Sequence, residues 1–527
     1  MTPGLIGLGR ALLLSLAVCA AASAADPGTL TIGNGSDPES LDPQKATGVS
    51  AGNILRDLYE GLTGRSPGGA VVPAAARSWD WSADHRTLCL TLRDGLHWSN
   101  GDALLAEHFA AGLRRLLDPA TAAGYATLFT AIANGEAVAA GRLPPSALGL
   151  DVLSPQRLCI RLDRPLPSLP ALLAHPAASP IHPDDLADGT PAEARRVNGA
   201  YRLEAWRLAA RIVLVRNPHY WNAANTAIER VVYLPTEDLN AELKRYRADE
   251  IDITTAVPAA QVDWIRRTLG SELRVAPYLG SYFYGLNLTR PPFRDNLALR
   301  QALSMAIDRQ VIASKVLHGL GLPAQGLVPP GAGDHLPQRP DWADWPRERR
   351  EAEARRLYRA AGYGPDRPLA VEIRYNTSDD HKRIAVVIAA LWKQVLGADV
   401  RLANEEWKVF LRHRRERAVT EVFRNTWIGD SDDALGFLEL FGSQHPRNDS
   451  GYADAGYDTL LRTAAQATDA GARRAALEAA ERRLLADAPL LPIHFYTSKH
   501  LVKPRVRGWQ DNALDWHYAK DLRLHAR

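Results

Sequence analysis

LAVEIRYNTSDDHKRIAVVIAALWKQVLGADVRL, residues 369–402, decides the fold class. Leu369, Val371, Ile373 and Tyr375 alternate with other residues, the period-two signature of a strand. Ile384, Ile388, Leu391, Trp392 and Val395 then recur every three or four positions and predict an apolar helix stripe. Gly397 stands where a left-handed residue ends a helix. Val400 and Leu402 begin a second strand. Strand–helix–strand is an α/β unit.

The same mixture extends outward. Leu30 and Ile32 predict a strand that stops at Gly33-Asn34-Gly35, a turn signal. Thr87 to Arg93, Arg157 to Asp163 and Ile212 to Val215 read as strands. Glu107 to Leu117 reads as a helix stopped by Asp118-Pro119. Asp295 is placed to cap a helix running to Leu317, with Leu299, Leu303, Ala306, Ile307 and Val311 on one face. Candidate boundaries are the Pro/Gly-rich stretches Leu322 to Pro346 and Pro176 to Pro191. No fixed-period repeat is present.

At 527 residues the chain has room for two to four domains. A formal charge of +3, with 46% hydrophobic and 23% charged residues, is ordinary globular usage and argues against nucleic acid as a partner. Arg10, the apolar run Ala11 to Ala22 and the small-x-small Ala22-Ser23-Ala24 predict a secretory signal peptide at residues 1–24. No later segment has the uninterrupted apolar length of a membrane span. Cys19 follows the bulky Val18, which argues against a lipid anchor. Cys89 and Cys159 each alternate with leucines and point away from the leucine face. If their strands are neighbours the two thiols can bridge; otherwise they are two half-buried thiols.

Catalytic motifs are missing: no Gly-x-Ser-x-Gly elbow, no His-Glu-x-x-His helix and no Walker loop. His175 and His182, flanked by prolines, read as surface loop residues and not as metal ligands, so neither metal nor cofactor is expected. The basic run Arg412 to Arg417 reads as a solvated helix face. The cluster that stands out is Arg424 to Phe437, RNTWIGDSDDALGF, with Trp427 beside Asp430, Asp432 and Asp433. On composition these aspartates are turn caps; read functionally, one is a carboxylate beside an aromatic wall, able to hold a cation.

A series of further stretches occurs in order along the mature chain: Ser40-Leu41-Asp42-Pro43; Asn53 to Leu62 (NILRDLYEGL); Leu88 to His108; Asn198-Gly199-Ala200-Tyr201; Arg216 to Trp221 (RNPHYW); Arg245 to Asp252 (RYRADEID); Asn376 to Lys382; Glu406-Trp407-Lys408; and Leu501-Val502-Lys503-Pro504. With them the chain resembles the periplasmic oligopeptide-binding proteins of ABC importers, within the peptide- and nickel-type solute-binding class. The resemblance implies an α/β periplasmic binding protein of two lobes around a cleft, with an extra inserted domain. Lobe one would comprise 25–60, 185–280 and 497–527. The extra domain would be 61–184, and lobe two 281–496.

The resemblance also implies roles. Asp430 would bind a peptide's ammonium group. Trp427 matches an aromatic near the neighbouring pocket. Thr426, Ile428 and Val49 would offer backbone groups. Arg424, Arg415 and His381 match basic groups that meet the ligand carboxylate, and Trp407, Tyr125 and Tyr496 match pocket-lining aromatics. The family's commoner Tyr is Ser431 here, Asn425 replaces a small residue, and a disulfide that some relatives carry would link the positions of Gly280 and Ile428. The implied function is capture of short peptides, without catalysis, for delivery to an ABC transporter permease from the periplasm, by a monomer. Two alternatives are the same fold with a narrow ligand, such as a murein tripeptide or a glutathione-like peptide, and a secreted hydrolase.

Overall fold

The structure, a computed structural model, describes residues 28–186, 190–429 and 431–525, without the side chains of Trp407 and Lys408. The predicted signal peptide and Cys19 lie outside the described residues.

Two long antiparallel strands, Leu273–Leu286 and Leu490–Leu501, run side by side through the molecule. At one end Leu501 packs in a core with Leu234, Tyr246 and Ile265. At the other, alternate residues of Leu273–Leu286 enter two different cores. Tyr282, Tyr284 and Leu286 join one with Leu303, Ile373, Ile388 and Trp392. Leu279 and Phe283 join the other with Phe437, Tyr457 and Leu484. A strand buried on both faces needs apolar residues at successive positions, as this run supplies.

These two strands are the centre of a six-stranded sheet in the order Gly321–Pro323, Leu490–Leu501, Leu273–Leu286, Val422–Ile428, Ala370–Asn376, Asp399–Glu405. The predicted α/β unit is present in it. Ala370–Asn376 pairs in parallel with Asp399–Glu405, joined by the helix Asp379–Leu396. Gly397 adopts φ 74°, which an L side chain resists, and closes that helix. Trp392 is buried beneath it and its indole N–H donates to the Leu303 carbonyl at 3.0 Å.

The helix predicted from Asp295 to Leu317 is broken. Asn296, not Asp295, caps Leu297–Met305 by accepting from the Leu299 N–H. Asp308 then captures the Val311 N–H and restarts the chain as Arg309–Val311. A second capping side chain inside an apolar stripe offers the backbone another partner, and periodicity alone does not register it.

A four-stranded sheet orders Thr29–Gly33, Arg230–Leu234, Arg211–Arg216 and Tyr201–Arg207. A second orders Ala76–Trp81, Thr87–Leu92, Arg157–Arg161 and Leu150–Ser154, covered by the helix Ala106–Leu117. The leucines of this second sheet belong to the same continuous core as Leu30, Ile54 and Tyr201. His182, expected at the surface, is buried against Trp98, 3.1 Å from the Asp102 carboxylate. Among the described residues no helix is long and apolar enough to cross a membrane.

Several sequence stretches noted above meet one another as buried polar clamps. Asp42 receives two hydrogen bonds of 2.7 Å from Arg115. Asn198 closes a two-way pair with the Glu60 backbone at 3.1 and 2.8 Å, and the Glu60 side chain takes Trp221 and Lys520. Asp252 holds Arg505 through two bonds of 2.6 and 2.7 Å. Gly199 is required because a Cβ there would lie 2.6 Å from the Asp57 carbonyl oxygen. Buried groups of this kind need every partner present.

Cys89 and Cys159 stand directly opposite in the second sheet, with Cα atoms 4.0 Å apart, and are joined as a disulfide. The bridge closes a sequence separation of 70 residues. Replacing both by serine is expected to destabilise the protein to denaturant by about 2–4 kcal/mol, the scale of loop-closure entropy. An unchanged denaturation midpoint would show that the bridge does not constrain the unfolded chain.

Candidate functional site

The strand Val422–Ile428 has one paired edge and one open edge. Along the first it pairs with Leu273–Leu286 in unbroken register from Gly280↔Ile428 to Leu286↔Val422. The Gly429 N–H donates to the Leu279 carbonyl, and Asn287 N–H to the Glu421 carbonyl. Strand alternation therefore turns the backbone groups of Asn425 and Trp427 toward that neighbour, and those of Thr426 and Ile428 toward the other edge. On that edge Ala370–Asn376 pairs only at Val422 and Phe423. Past Arg424, Thr426 and Ile428 face no strand among the described residues. The Thr426 N–H meanwhile rests on the Asn425 side chain at 2.8 Å.

At the Ile428 end lies a cavity of ≈ 180 Å³, lined among others by Val49, Arg56, Tyr125, His175, Tyr278, Ile428 and Trp516. It thus brings together three of the expected residues, Val49, Tyr125 and Ile428. Val49 opens the helix Val49–Leu58 and is 64% exposed. Gly48, in the N-cap position, supplies no side-chain cap. Arg56 is buried, its guanidinium 4.9 Å over the Trp516 ring, with burial pushing its pKa down. His175 was expected as plain surface. It is instead half-buried with its ring 4.5 Å from Tyr125, because it accepts the Ala177 N–H and caps a short turn at the cavity wall.

At the Arg424 end is a second polar group. Arg424 is 5% exposed and sits 5.1 Å over the Tyr282 ring. Its nitrogens reach Asn376 and the Tyr496 hydroxyl at 3.4 Å, and its Nε has no hydrogen-bond partner. It makes no ion pair among the described residues. His381 lies 3.4 Å from the Tyr282 hydroxyl, and His494 stacks on Tyr282 at 4.8 Å. Burial, with the Arg424 charge and His494, holds the His381 pKa down to about 3. A buried guanidinium without an anion is costly, so this group is chemically suited to receive a carboxylate. The two groups are continuous through Gly280, where a Cβ would touch both Ile428 and Tyr496.

The remaining expected residues fall elsewhere. Trp427 lies on the opposite sheet face, packed with the Phe283–Phe437 core and stacked by Arg447 at 4.6 Å. Arg415 is exposed on the helix Trp407–Glu416, whereas its neighbour Arg414 turns inward to Asp449 at 2.8 Å. The solvated-face reading of the basic run therefore fails for Arg414. Asp430 and the Trp407 side chain lie outside the described residues. Asp432 pairs with the 1% exposed Arg65 through two 2.8 Å bonds, and Asp433 pairs with Arg473 and caps Leu435. Those two aspartates are structural, as the composition suggested.

Residues that sequence reading missed are Arg56, Tyr278, Tyr282, His494 and Trp516. Arg56 stood inside a noted stretch, but its partner Trp516 is hundreds of positions away. Buried neutral histidines give a stability signature. Burial holds His175 down to about 3 and His494 to about 4, while it raises Asp57 to about 6. Below the unfolded value of about 6.5 the unfolded chain takes up protons that the folded histidines refuse, so stability falls with falling pH. Asp57 opposes this, since between about 6 and 4 its folded carboxyl keeps a proton that the unfolded one releases. His108, His381, His445 and His517 are held down with them, against a raised His500, while the carboxyls raised beside Asp57 (Glu242, Glu439, Asp449 and Asp521) act at lower pH; the melting temperature is therefore expected to drop between pH 7 and pH 6. A rise over that interval would contradict the burial of these groups.

A sequence profile described as "Bacterial extracellular solute-binding proteins, family 5 Middle" matches residues 70–449. The "Periplasmic oligopeptide-binding protein OppA" of Salmonella typhimurium is 36% identical over 94% of this chain and 93% of its own length. The "Probable deoxycholate-binding periplasmic protein YgiS" of Escherichia coli is 37% identical over 94% of this chain and 93% of its own. A solved structure of the periplasmic murein tripeptide-binding protein MppA, in an unliganded open form, superposes with a TM-score of 0.86 at 34% identity, covering 94% of this chain and 97% of that one. The mixed α/β architecture is that of the two-lobed periplasmic binding proteins. The chain belongs to family 5 of the bacterial extracellular solute-binding proteins.

Proposed function

We propose that the protein captures short peptides between its lobes and hands them to the permease of an ABC importer. The observation that carries this is the open backbone edge at Thr426 and Ile428, with Arg424, a buried cation that has no ion-pair partner among the described residues, at one end. An extended peptide adds to such an edge as a strand, through main-chain hydrogen bonds that do not depend on its side chains. Its ammonium group is assigned to Asp430 and its carboxylate to Arg424, with His381 beside it. His381 is neutral near pH 7, so it offers a hydrogen bond while Arg424 supplies the charge. Arg415 would serve longer peptides on lobe closure, and Trp407 and Trp427 would line flanking pockets.

The assignment of lobe one to 25–60, 185–280 and 497–527, the inserted domain to 61–184 and lobe two to 281–496 belongs to the same reading. The strands Leu273–Leu286 and Leu490–Leu501 then cross between lobes. Closure about them would bury the peptide and create a surface that the permease recognises. The likeness to an unliganded open form supports a resting state with the lobes apart. Export by the segment 1–24, residence in the periplasm as a monomer, and the absence of catalysis complete the proposal.

A narrower ligand is the second reading. It is favoured by the near-equal identity to relatives named for an oligopeptide and for deoxycholate. Mass spectrometry of whatever co-purifies separates the two: a mixture of peptides supports broad capture, whereas one uniform species supports the narrow reading.

Tri- to pentapeptides are expected to raise the melting temperature, as a ligand present at about a hundredfold its Kd adds about 2.7 kcal/mol. N-acetylating the peptide or introducing Asp430→Asn should remove most of that shift. Arg424→Gln should weaken tripeptide binding by about tenfold or more, the scale of one charge-assisted hydrogen bond. Affinity untouched by all three would refute the end-group assignments.

A further inference from the structure

We propose that His500, Asp515 and His517 form a binding site for a divalent transition-metal ion, with Zn²⁺ as the reference ion. Neither spacing nor motif marks these residues, but the fold brings their ligand atoms within 4.8 Å of one another. His500 Nε2 lies 3.0 Å from both carboxylate oxygens of Asp515, and His517 Nε2 lies 3.0 Å from Asp515 Oδ1.

The orientation of His500 is decisive. Its Nδ1 is 2.8 Å from the Thr254 carbonyl oxygen. A carbonyl only accepts, so Nδ1 carries the proton and donates. In a neutral ring Nε2 is then a bare lone pair, aimed at a carboxylate whose oxygens are also lone-pair donors. A positive charge has to lie between them, either a proton on Nε2 or a metal ion. A ring fixed by donation to a backbone carbonyl is also how metal-ligating histidines are held.

The second imidazole supplies a third ligand. A proton on His500 Nε2 and the Nε2–H of a neutral His517 can satisfy Asp515; an ion would displace the first, shift the His517 proton to Nδ1 and engage all three groups at once. Around a tetrahedral ion with Zn–N and Zn–O bonds of about 2.0–2.1 Å, ligand atoms lie about 3.3 Å apart. The two 3.0 Å separations from Asp515 need only a few tenths of an ångström of spreading, and the two imidazole nitrogens, which lie within 4.8 Å of each other, would draw together on the ion. The rings are already braced. His517 stacks on Trp509 at 3.6 Å and 18°, and His500 meets Trp509 edge-on at 5.3 Å. His500 is buried and the other two are half-buried. Asp515 lines the ≈ 180 Å³ cavity, so further coordination positions open toward it. Two imidazoles and one carboxylate select Zn²⁺, Cu²⁺, Ni²⁺ or Co²⁺ over Mg²⁺ and Ca²⁺, which require oxygen. Binding releases the proton that otherwise occupies His500 Nε2. The ion would pin the segment bearing Trp509 and Asp515 to the end of Leu490–Leu501.

The test uses the mature, untagged protein, stripped with EDTA and titrated at neutral pH with Zn²⁺ by calorimetry and with Co²⁺ by visible absorption. Saturable binding of a single Zn²⁺ with proton release, and ligand-field bands of four-coordinate Co²⁺, are expected. His517→Gln and Asp515→Asn should each weaken Zn²⁺ binding by about tenfold or more. The Co²⁺ spectrum of the unaltered protein decides the matter if either variant fails to fold. No Zn²⁺ uptake, six-coordinate Co²⁺ bands typical of loose surface binding, or an affinity in both variants unchanged from that of the unaltered protein would overturn the site.

Discussion

The antiparallel pairing of Leu273–Leu286 with Leu490–Leu501 is the constraint on which the rest of the structure depends. These are the long strands that enter the cores on both sides of the molecule. Their register shifts between Pro277 and Ser281, so each strand bends where it leaves one core for the next. Gly280 sits at that bend and faces Ile428, and the absence of a side chain lets Ile428 and Tyr496 close over it. Val422–Ile428 takes its position from this pair. Because Ala370–Asn376 turns into the helix Asp379–Leu396 after Asn376, no strand among the described residues continues the sheet on that edge beyond Arg424. The open edge is a consequence of where a neighbouring strand ends.

Exposed strand edges are usually blunted, since they invite pairing with any other chain. Here the edge lies between a cavity and a buried cation, which restricts what can add to it. Arg424 is desolvated without an ion-pair partner among the described residues, and its burial among Tyr282, His494 and Tyr496 makes an arriving carboxylate worth more than it would be in water. Asp432 and Asp433 are already held by Arg65 and Arg473.

Local structure was legible wherever one periodicity ruled it. The unit at 369–402, the leucine faces around Cys89 and Cys159 and the helix at 106–117 all follow from patterns a few residues long. The family stretches were legible for a different reason. Asp42 and Asp252 lock Arg115 and Arg505 in buried ion pairs, Asn198 clasps the Glu60 backbone, and the Glu60 side chain holds Trp221 and Lys520; changing one member of a buried pair leaves the other unsatisfied. What carried the resemblance is therefore mostly the scaffold, not the ligand cleft. The cleft itself was only partly readable. Val49, Tyr125 and Ile428 converge, but Arg56 with Trp516, and His175 with Tyr125, meet through contacts between distant segments. The His500–Asp515–His517 group is of the same kind, because no local spacing announces three ligands contributed by two separate segments. Asn296 and Asp308, which split the helix predicted from Asp295, show that short-range capping overrides an apolar stripe.

The central claim is that a peptide completes the open edge of Val422–Ile428. Backbone hydrogen exchange resolved along that strand, with and without a tripeptide, tests it most directly. The amides of Asn425 and Trp427 are already paired with Leu273–Leu286 and should change little. Those of Thr426 and Ile428 should become markedly slower to exchange when the tripeptide binds. Tight binding with no added protection at Thr426 and Ile428 would contradict the account and place the ligand elsewhere in the molecule.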